Sequence, residues 1–377
     1  MKKIAVLGIT GSIGLSVVEV VRQHSDRFQI TFATAHSNQE LLFSLAEEFA
    51  IDQIVVTSDN KVKQPQGLKS KLYYGTDEAI KLLKESDYDL VINAVSGSAG
   101  LIYSYNILNN GQKLALANKE SLVMAGHILT KMPGGNQIIP IDSEHSAILQ
   151  LIDNLPADDI DNLILTASGG PFRELPLDEF ASITPERALS HPTWSMGTKI
   201  SIDSATMFNK GLEVIEAHWL FNTPYDRIKA VIHPQSIVHS LVECRDGSIF
   251  AQMGNPSMQL PILYALNYPN HHPSEHHRTK ITDLPPLTFS EIESERYPLY
   301  QLAVDAGIEG GIYPTVLNAA NEAAINLFLQ RRVPFTDIFR LTNEALQHYQ
   351  NIDNPDIETI ISTNCLVYNE VLSRYLE

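Results

Sequence analysis

The chain has 377 residues, 44% of them hydrophobic and 19% charged, with no polar low-complexity tract. That excludes a disordered chain and predicts roughly two to three folded domains. A formal charge of −17 repels phosphate backbones and anionic lipid, so neither nucleic acid nor a membrane is expected as a partner; a phosphorylated metabolite needs only a local basic pocket.

Two cysteines, Cys244 and Cys365, cannot build a disulfide framework or a cysteine-rich zinc site and suggest a reducing compartment. Met1-Lys2-Lys3 runs directly into a short apolar stretch, too short for a signal peptide, and no run approaches membrane-spanning length. The expected location is cytoplasmic.

Through residue 142 short apolar runs alternate with amphipathic stretches. Residues 4–7, 30–33, 53–56, 90–93, 114–117 and 138–141 read as buried strands, with helices such as 14–22, 39–49 and 78–84 between them. The alternation predicts an α/β class with a doubly wound, Rossmann-type parallel sheet over 1–142. From 143 to 266 the pattern is mixed α+β: a helix over 146–155, a strand over 163–166, a second helix, and two alternating runs around Asp246-Gly247, a two-residue hairpin signal. Residues 267–290, rich in Pro, His, Ser and Thr, read as a linker, and the histidines at 271, 272, 276 and 277 belong to it rather than to a metal site. Helices over 297–306, 314–330, 335–347 and 357–375 predict a C-terminal helical domain, 291–377.

Gly8-Ile9-Thr10-Gly11-Ser12-Ile13-Gly14 follows the first strand and opens the first helix. Glycines there let the backbone approach a pyrophosphate at the helix N-terminus, and the spacing is a variant of the dinucleotide fingerprint. Thr10, Gly11, Ser12 and Ile13 are the expected contacts. The second strand runs into Ala35-His36-Ser37-Asn38 without the Asp or Glu that accepts from an unphosphorylated ribose, which favours NADPH over NADH. The plainer alternative is a simple chain turn, since no Arg or Lys stands there.

Asp142 ends a predicted strand, Ser143 is placed to cap the next helix, and Glu144 falls in its first turn. An N-cap with an acidic first turn explains the same pattern without a ligand. On a helix over 208–219, Phe208, Leu212, Ile215 and Trp219 form an apolar face, while Asn209, Lys210 and Glu213 share a polar arc. If Asp142, Glu144 and Glu213 converge, an all-oxygen set suits Mg²⁺ or Mn²⁺ better than Zn²⁺. Ser168 with its two following glycines, Ser204, Asn209 and Lys210 supply the donors of a phosphate cradle. His191-Pro192-Thr193-Trp194-Ser195-Met196-Gly197 reads as a lid, and Lys119, after the fifth strand, is placed to reach the same crevice.

These segments, with Ala117-Asn118-Lys119-Glu120-Ser121, His233-Pro234-Gln235-Ser236 and Asn318-Ala319-Ala320-Asn321-Glu322, resemble the 1-deoxy-D-xylulose 5-phosphate reductoisomerase family of the non-mevalonate isoprenoid pathway over nearly the full length. The resemblance implies that Asp142, Glu144 and Glu213 hold Mg²⁺ or Mn²⁺, with Co²⁺ admissible, and act with Lys119 as the catalytic set. It places Ser143 and Lys119 beside the substrate's oxygens, and Ser168, Ser204, Asn209 and Lys210 on its phosphate. His191, Trp194 and Met258 complete the substrate contacts. Asn118, Glu120, Met196 and Gly197 are implied at the cofactor beside 10–13 and 35–38. The implied reaction rearranges a sugar phosphate's carbon skeleton to an aldehyde and reduces it with NADPH to 2-C-methyl-D-erythritol 4-phosphate. Region 143–266 would be catalytic, metal-binding and dimerising, forming a homodimer through its sheet. Two departures stand out: Ile9 where many relatives carry Ser, and His36-Ser37 where Gly and a basic residue are frequent. Rival readings are an NADP-dependent dehydrogenase without isomerase chemistry and a noncatalytic NADP sensor.

Overall fold

The computed structural model describes residues 1–375 apart from 61, 191–193, 195–196 and 276. In chain order the first elements are β1 Lys2–Leu7, α1 Ser12–Gln23, β2 Phe28–Ala35, α2 Gln39–Glu48, β3 Gln53–Val56, β4 Lys71–Tyr74, α3 Thr76–Glu85, β5 Leu90–Asn93, α4 Leu101–Asn109, β6 Leu114–Leu116, α5 Lys119–Leu129, β7 Ile138–Pro140 and α6 Ser143–Ile152. There follow β8 Ile160–Ala167, α7 Pro185–Ala188, α8 Thr198–Ala205, α9 Phe208–Phe221, β9 Ile228–Ile232, β10 Val238–Cys244, β11 Ile249–Met253, α10 Gln259–Asn267, α11 Pro298–Glu309, α12 Tyr313–Leu329, α13 Asp337–His348 and α14 Ile357–Ser373. Two compact units partition the chain: Met1–Asn118 with Leu129–Ser146 and Ser257–Glu275, and Lys119–Ile128 with Ala147–Pro256 and His276–Glu377.

The first unit holds a parallel sheet in the order β4-β3-β2-β1-β5-β6-β7. Ile4, Ala5, Val6 and Leu7 are fully buried, because a central parallel strand is covered on both faces and so reads as a continuous apolar run. Each such Ile or Leu contributes about 1.5–3 kcal/mol of burial. Strand β4, Lys-Leu-Tyr-Tyr, was not expected from sequence. It lies at the sheet edge and is only partly buried, so it never needed the apolar run that marks a strand. Strand order reverses between β1 and β5, and there Gly8 adopts φ +77 with Ala94 pressed against it: a Cβ would stand 2.8 Å from the Ala94 carbonyl oxygen. A cavity of about 890 Å³, lined by Lys3, Thr31, Gln53, Lys71 and Tyr88, lies at the amino ends of these strands, the opposite edge from that reversal.

The second unit holds a mixed sheet in the order β11-β10-β8-β9, with β8 and β9 parallel and the other pairs antiparallel. One face buries Leu163, Leu165, Ile228 and Val242 against Ile148, Val214 and Ala217. The hairpin around Asp246-Gly247 forms with a three-residue loop instead of two: the Cys244 amide donates to the Ser248 carbonyl at 2.8 Å, and Gly247 takes φ +86. The left-handed glycine closing a tight turn is the bulged alternative to a two-residue turn. The far end of the expected linker docks on this sheet, where Ser290 pairs with Ile232. Helix α12 is apolar nearly all round because α8, α11, α13 and α14 surround it. Among the described residues no helix is long and apolar enough to cross a membrane.

Candidate functional site

The glycine turn leaves the end of β1 and delivers α1 with a bare N-terminus. Gly11 stands at the cap without a side-chain bond, the first turn carries no acid, and Gly11 and Ser12 are exposed. Unsatisfied amides and the positive end of the helix dipole there suit a phosphate group. Thr10 and Ile13 are half-buried on either side, and Ile9 is fully buried, so its apolar side chain fills the core under the turn.

Beyond β5 the loop 94–97 is braced from below. The Asn118 amide donates to the carbonyls of Val95 at 2.9 Å and Gly97 at 2.8 Å, and Asn93 binds the Gly100 carbonyl and the Ser104 hydroxyl. Asn118 therefore shapes this loop with its own amide hydrogens. At the end of β2, Ala35 is buried while His36, Ser37 and Asn38 are exposed. The Asn38 oxygen accepts from the Leu41 amide as the cap of α2, and His36 Nδ1 lies 3.2 Å from the Thr57 hydroxyl. No carboxylate stands in this stretch.

At the exit of β7 the Ser146 amide donates to the Asp142 carbonyl at 2.8 Å. Asp142, rather than the expected Ser143, thus occupies the cap position of α6, and the Ser143 hydroxyl donates to Glu144 Oε2 at 2.5 Å. Asp142 and Glu144 are half-buried. Met258 stands at the N-cap of α10, which packs on α1.

In the second unit α5 packs against α9 so closely that a Cβ on Gly126 would meet the Trp219 ring at 2.2 Å. That approach brings Lys119, at the start of α5, onto α9. Glu213 is 1% exposed, and its Oε1 receives Lys119 Nζ at 3.1 Å and the Asn209 amide, while Lys210 Nζ binds its Oε2. Lys119 and Lys210 bring two formal positive charges to this carboxylate. The N-terminus of α9 adds to them: Met207, left-handed at φ 58, turns the chain sharply between α8 and α9, and no acid stands in the first turn of α9.

The turn after β8 rests on the end of α8. Gly169 and Gly170 have φ +81 and +69, and a Cβ on Gly170 would lie 2.7 Å from the Ser204 carbonyl oxygen. The structure so brings the Ser168 turn and Ser204 together, with the Gly170 amide donating to Ser168 Oγ at 3.2 Å. Trp194 is half-buried, its ring centroid 6.3 Å from that of His239. Burial, aided by the charges of His233 and Lys210, lowers the His239 pKa to about 4 against weaker opposing bonds to the backbone of Gly254 and Asn255. Gly197 begins α8, and its carbonyl accepts from Ser201. His191 and Met196 lie outside the described residues.

Sequence reasoning passed over Lys199; Glu120 was expected at the cofactor, and Asp203 only opened a segment, 203–216, that carries the family resemblance. Lys199 Nζ binds Asp203 at 2.7 Å and Glu120 at 3.1 Å. Burial opposes both charges, but Asp203, Glu120 and Glu322 together hold the Lys199 ammonium well above the usual lysine range, and Lys199 keeps the Glu120 carboxyl below its usual one. The one available signal was the helical spacing of Lys199 and Asp203.

The doubly wound sheet and the open glycine turn define a nucleotide-dependent α/β oxidoreductase. Family models match in three segments: 1-deoxy-D-xylulose 5-phosphate reductoisomerase over residues 4–126, its C-terminal domain over 138–221, and the DXP reductoisomerase C-terminal domain over 253–367. The chain belongs to the 1-deoxy-D-xylulose 5-phosphate reductoisomerase family. A relative of that name from Chlorobium chlorochromatii is 44% identical over 97% of both chains, and one from Clostridium perfringens is 40% identical over the full length of both. A solved DOX-P reductoisomerase in complex with NADPH, fosmidomycin and magnesium superposes with a TM-score of 0.93 at 36% identity, covering 100% of this chain and 98% of that one. The Zymomonas mobilis enzyme in complex with NADPH gives 0.89 at 36% identity, covering 100% and 99%.

Proposed function

We propose that the chain converts 1-deoxy-D-xylulose 5-phosphate to 2-C-methyl-D-erythritol 4-phosphate in a site built from the groups described above. The observation that carries this reading is Glu213, a buried carboxylate of α9 held by Lys119, Asn209 and Lys210. A noncatalytic nucleotide sensor has no use for such a set, and a plain dehydrogenase has no use for a hard-metal carboxylate.

A divalent ion supplies Lewis acidity to adjacent substrate oxygens, and NADPH supplies the hydride. Asp142, Glu144 and Glu213 are the proposed ligands of Mg²⁺, Mn²⁺ or Co²⁺; their all-oxygen chemistry and the partial exposure of the first two fit a hard ion. With the ion bound, Lys119 would serve substrate oxygens and Lys210 the phosphate. Ser168, Ser204, Asn209 and Lys210 hold the phosphate, and Ser143 orients a substrate oxygen. Trp194, with His191 and Met258, excludes water over the reacting carbons. Thr10, Gly11, Ser12 and Ile13 hold the NADPH pyrophosphate, His36, Ser37 and Asn38 its 2′-phosphate, and Asn118, Glu120, Met196 and Gly197 its nicotinamide end.

In this reading the functional regions are 1–142 for NADPH, 143–266 for catalysis, a linker over 267–290 and helices over 291–377, in a cytoplasmic homodimer. Support for the dimer comes from β11, a sheet edge with Ile249, Phe250 and Met253 exposed.

An NADPH-oxidation assay with 1-deoxy-D-xylulose 5-phosphate and Mg²⁺ tests the proposal. Turnover is expected to vanish with EDTA, to return on adding Mn²⁺, and to fall about 100-fold or more in Asp142→Asn. Turnover by the wild type that ignores EDTA would refute the metal-assisted mechanism.

A further inference from the structure

Lys199 sits in the first turn of α8 and binds carboxylates on two different helices. Its ammonium lies 2.7 Å from Asp203 Oδ2, one turn along α8, and 3.1 Å from Glu120 Oε1 in the first turn of α5. The other Asp203 oxygen accepts from the Asn321 amide at 2.8 Å, from inside α12. Asp203, Asn321 and Glu120 are all buried. One cation therefore ties α5 to α8, and its partner ties α8 to α12.

Each carboxylate that Lys199 hydrogen-bonds is the chain neighbour of a proposed substrate group: Glu120 follows Lys119, and Asp203 precedes Ser204. We infer that Lys199 is a positioning residue which, through Glu120 and Asp203, sets the spacing between Lys119 on α5 and Ser204 on α8. This rests on the substrate reading of those two residues. Stability alone does not account for the network, since well-packed apolar side chains in place of a buried ion pair are often as stable or more so. Apolar packing, however, is non-directional and would let two helices slide. Charged hydrogen bonds of fixed geometry do not, and the first-turn place of Glu120, at the positive end of α5, holds its carboxylate further. Spacing matters here because a displacement of about 1 Å far from the chemistry can cost about 100-fold in rate.

The test compares Lys199→Met, Lys199→Arg, Glu120→Gln and the Lys199→Met/Glu120→Gln double variant by steady-state kinetics, with NADPH affinity titrated separately by fluorescence. Lys199→Met is expected to lower kcat/KM for 1-deoxy-D-xylulose 5-phosphate about 10- to 100-fold, with a smaller change in NADPH affinity passed through Glu120. Arginine should restore most of the loss, and Glu120→Gln should cost less in the double variant than alone. Wild-type kcat/KM in Lys199→Met, additive losses, or no recovery with arginine would each overturn the inference. Should Lys199→Met fail to fold, Asp203→Asn decides, and wild-type kcat/KM there is fatal. Lys119→Met and Ser204→Ala separate the two levels. If these are impaired and Lys199→Met is not, the inference alone falls; if they turn over normally, the substrate reading falls and takes the inference with it.

Discussion

Lys119, Asn209 and Lys210 meet on Glu213 because two different rules bring them there. Asn209, Lys210 and Glu213 share a polar arc of α9 by helical periodicity, whereas Lys119 is 94 residues from Glu213 and arrives only through the packing of α5 on α9. His239 shows the energetic side of such packing. In the unfolded chain it titrates at about 6.5; burial in the folded protein pushes it down to about 4. Between those values the unfolded chain takes up a proton that the folded chain refuses, so stability falls as pH drops through that window. The expected loss is about 2 kcal/mol by pH 5. Urea unfolding at pH 7.5 and pH 5 should show a larger acid-induced loss for the wild type than for His239→Gln, and equal losses would remove the burial argument.

Among the elements, β1, β5 and the C-terminal helices were legible because their burial is uniform along a face or along the whole run. β4 was not, since an edge strand tolerates polar and aromatic residues and sends no periodic signal. The cap at Asp142 was misplaced by one residue for a related reason: Asp and Ser are both favoured caps, and only the path of the chain out of β7 chooses between them. β11 carries a prediction of its own. Replacing Phe250, 45% exposed on that edge, with lysine should convert a dimer to a monomer in analytical ultracentrifugation without unfolding the chain. A monomeric wild type at micromolar concentration would remove the dimer from the proposal.

For the whole molecule, the nucleotide and the metal are proposed to use separate sets of residues. NADPH should therefore raise the thermal midpoint equally with Mg²⁺ and with EDTA, corresponding to about 2.7 kcal/mol at one hundred times its Kd. Loss of the NADPH shift in EDTA would mean that the two sets are not independent. The sequence by itself determined the class of the chain, the glycine turn after β1, the polar arc of α9 and, through the joint set of segments, the family. These depend on neighbours within a turn of helix or a strand, where spacing dictates which side chains share a face. Tertiary structure alone decided that Lys119 lies on Glu213, that the Ser168 turn rests on Ser204, and that Lys199 joins α5 to α8. Periodicity says which way a side chain points, but what it meets there is set by helices and strands far away in the chain.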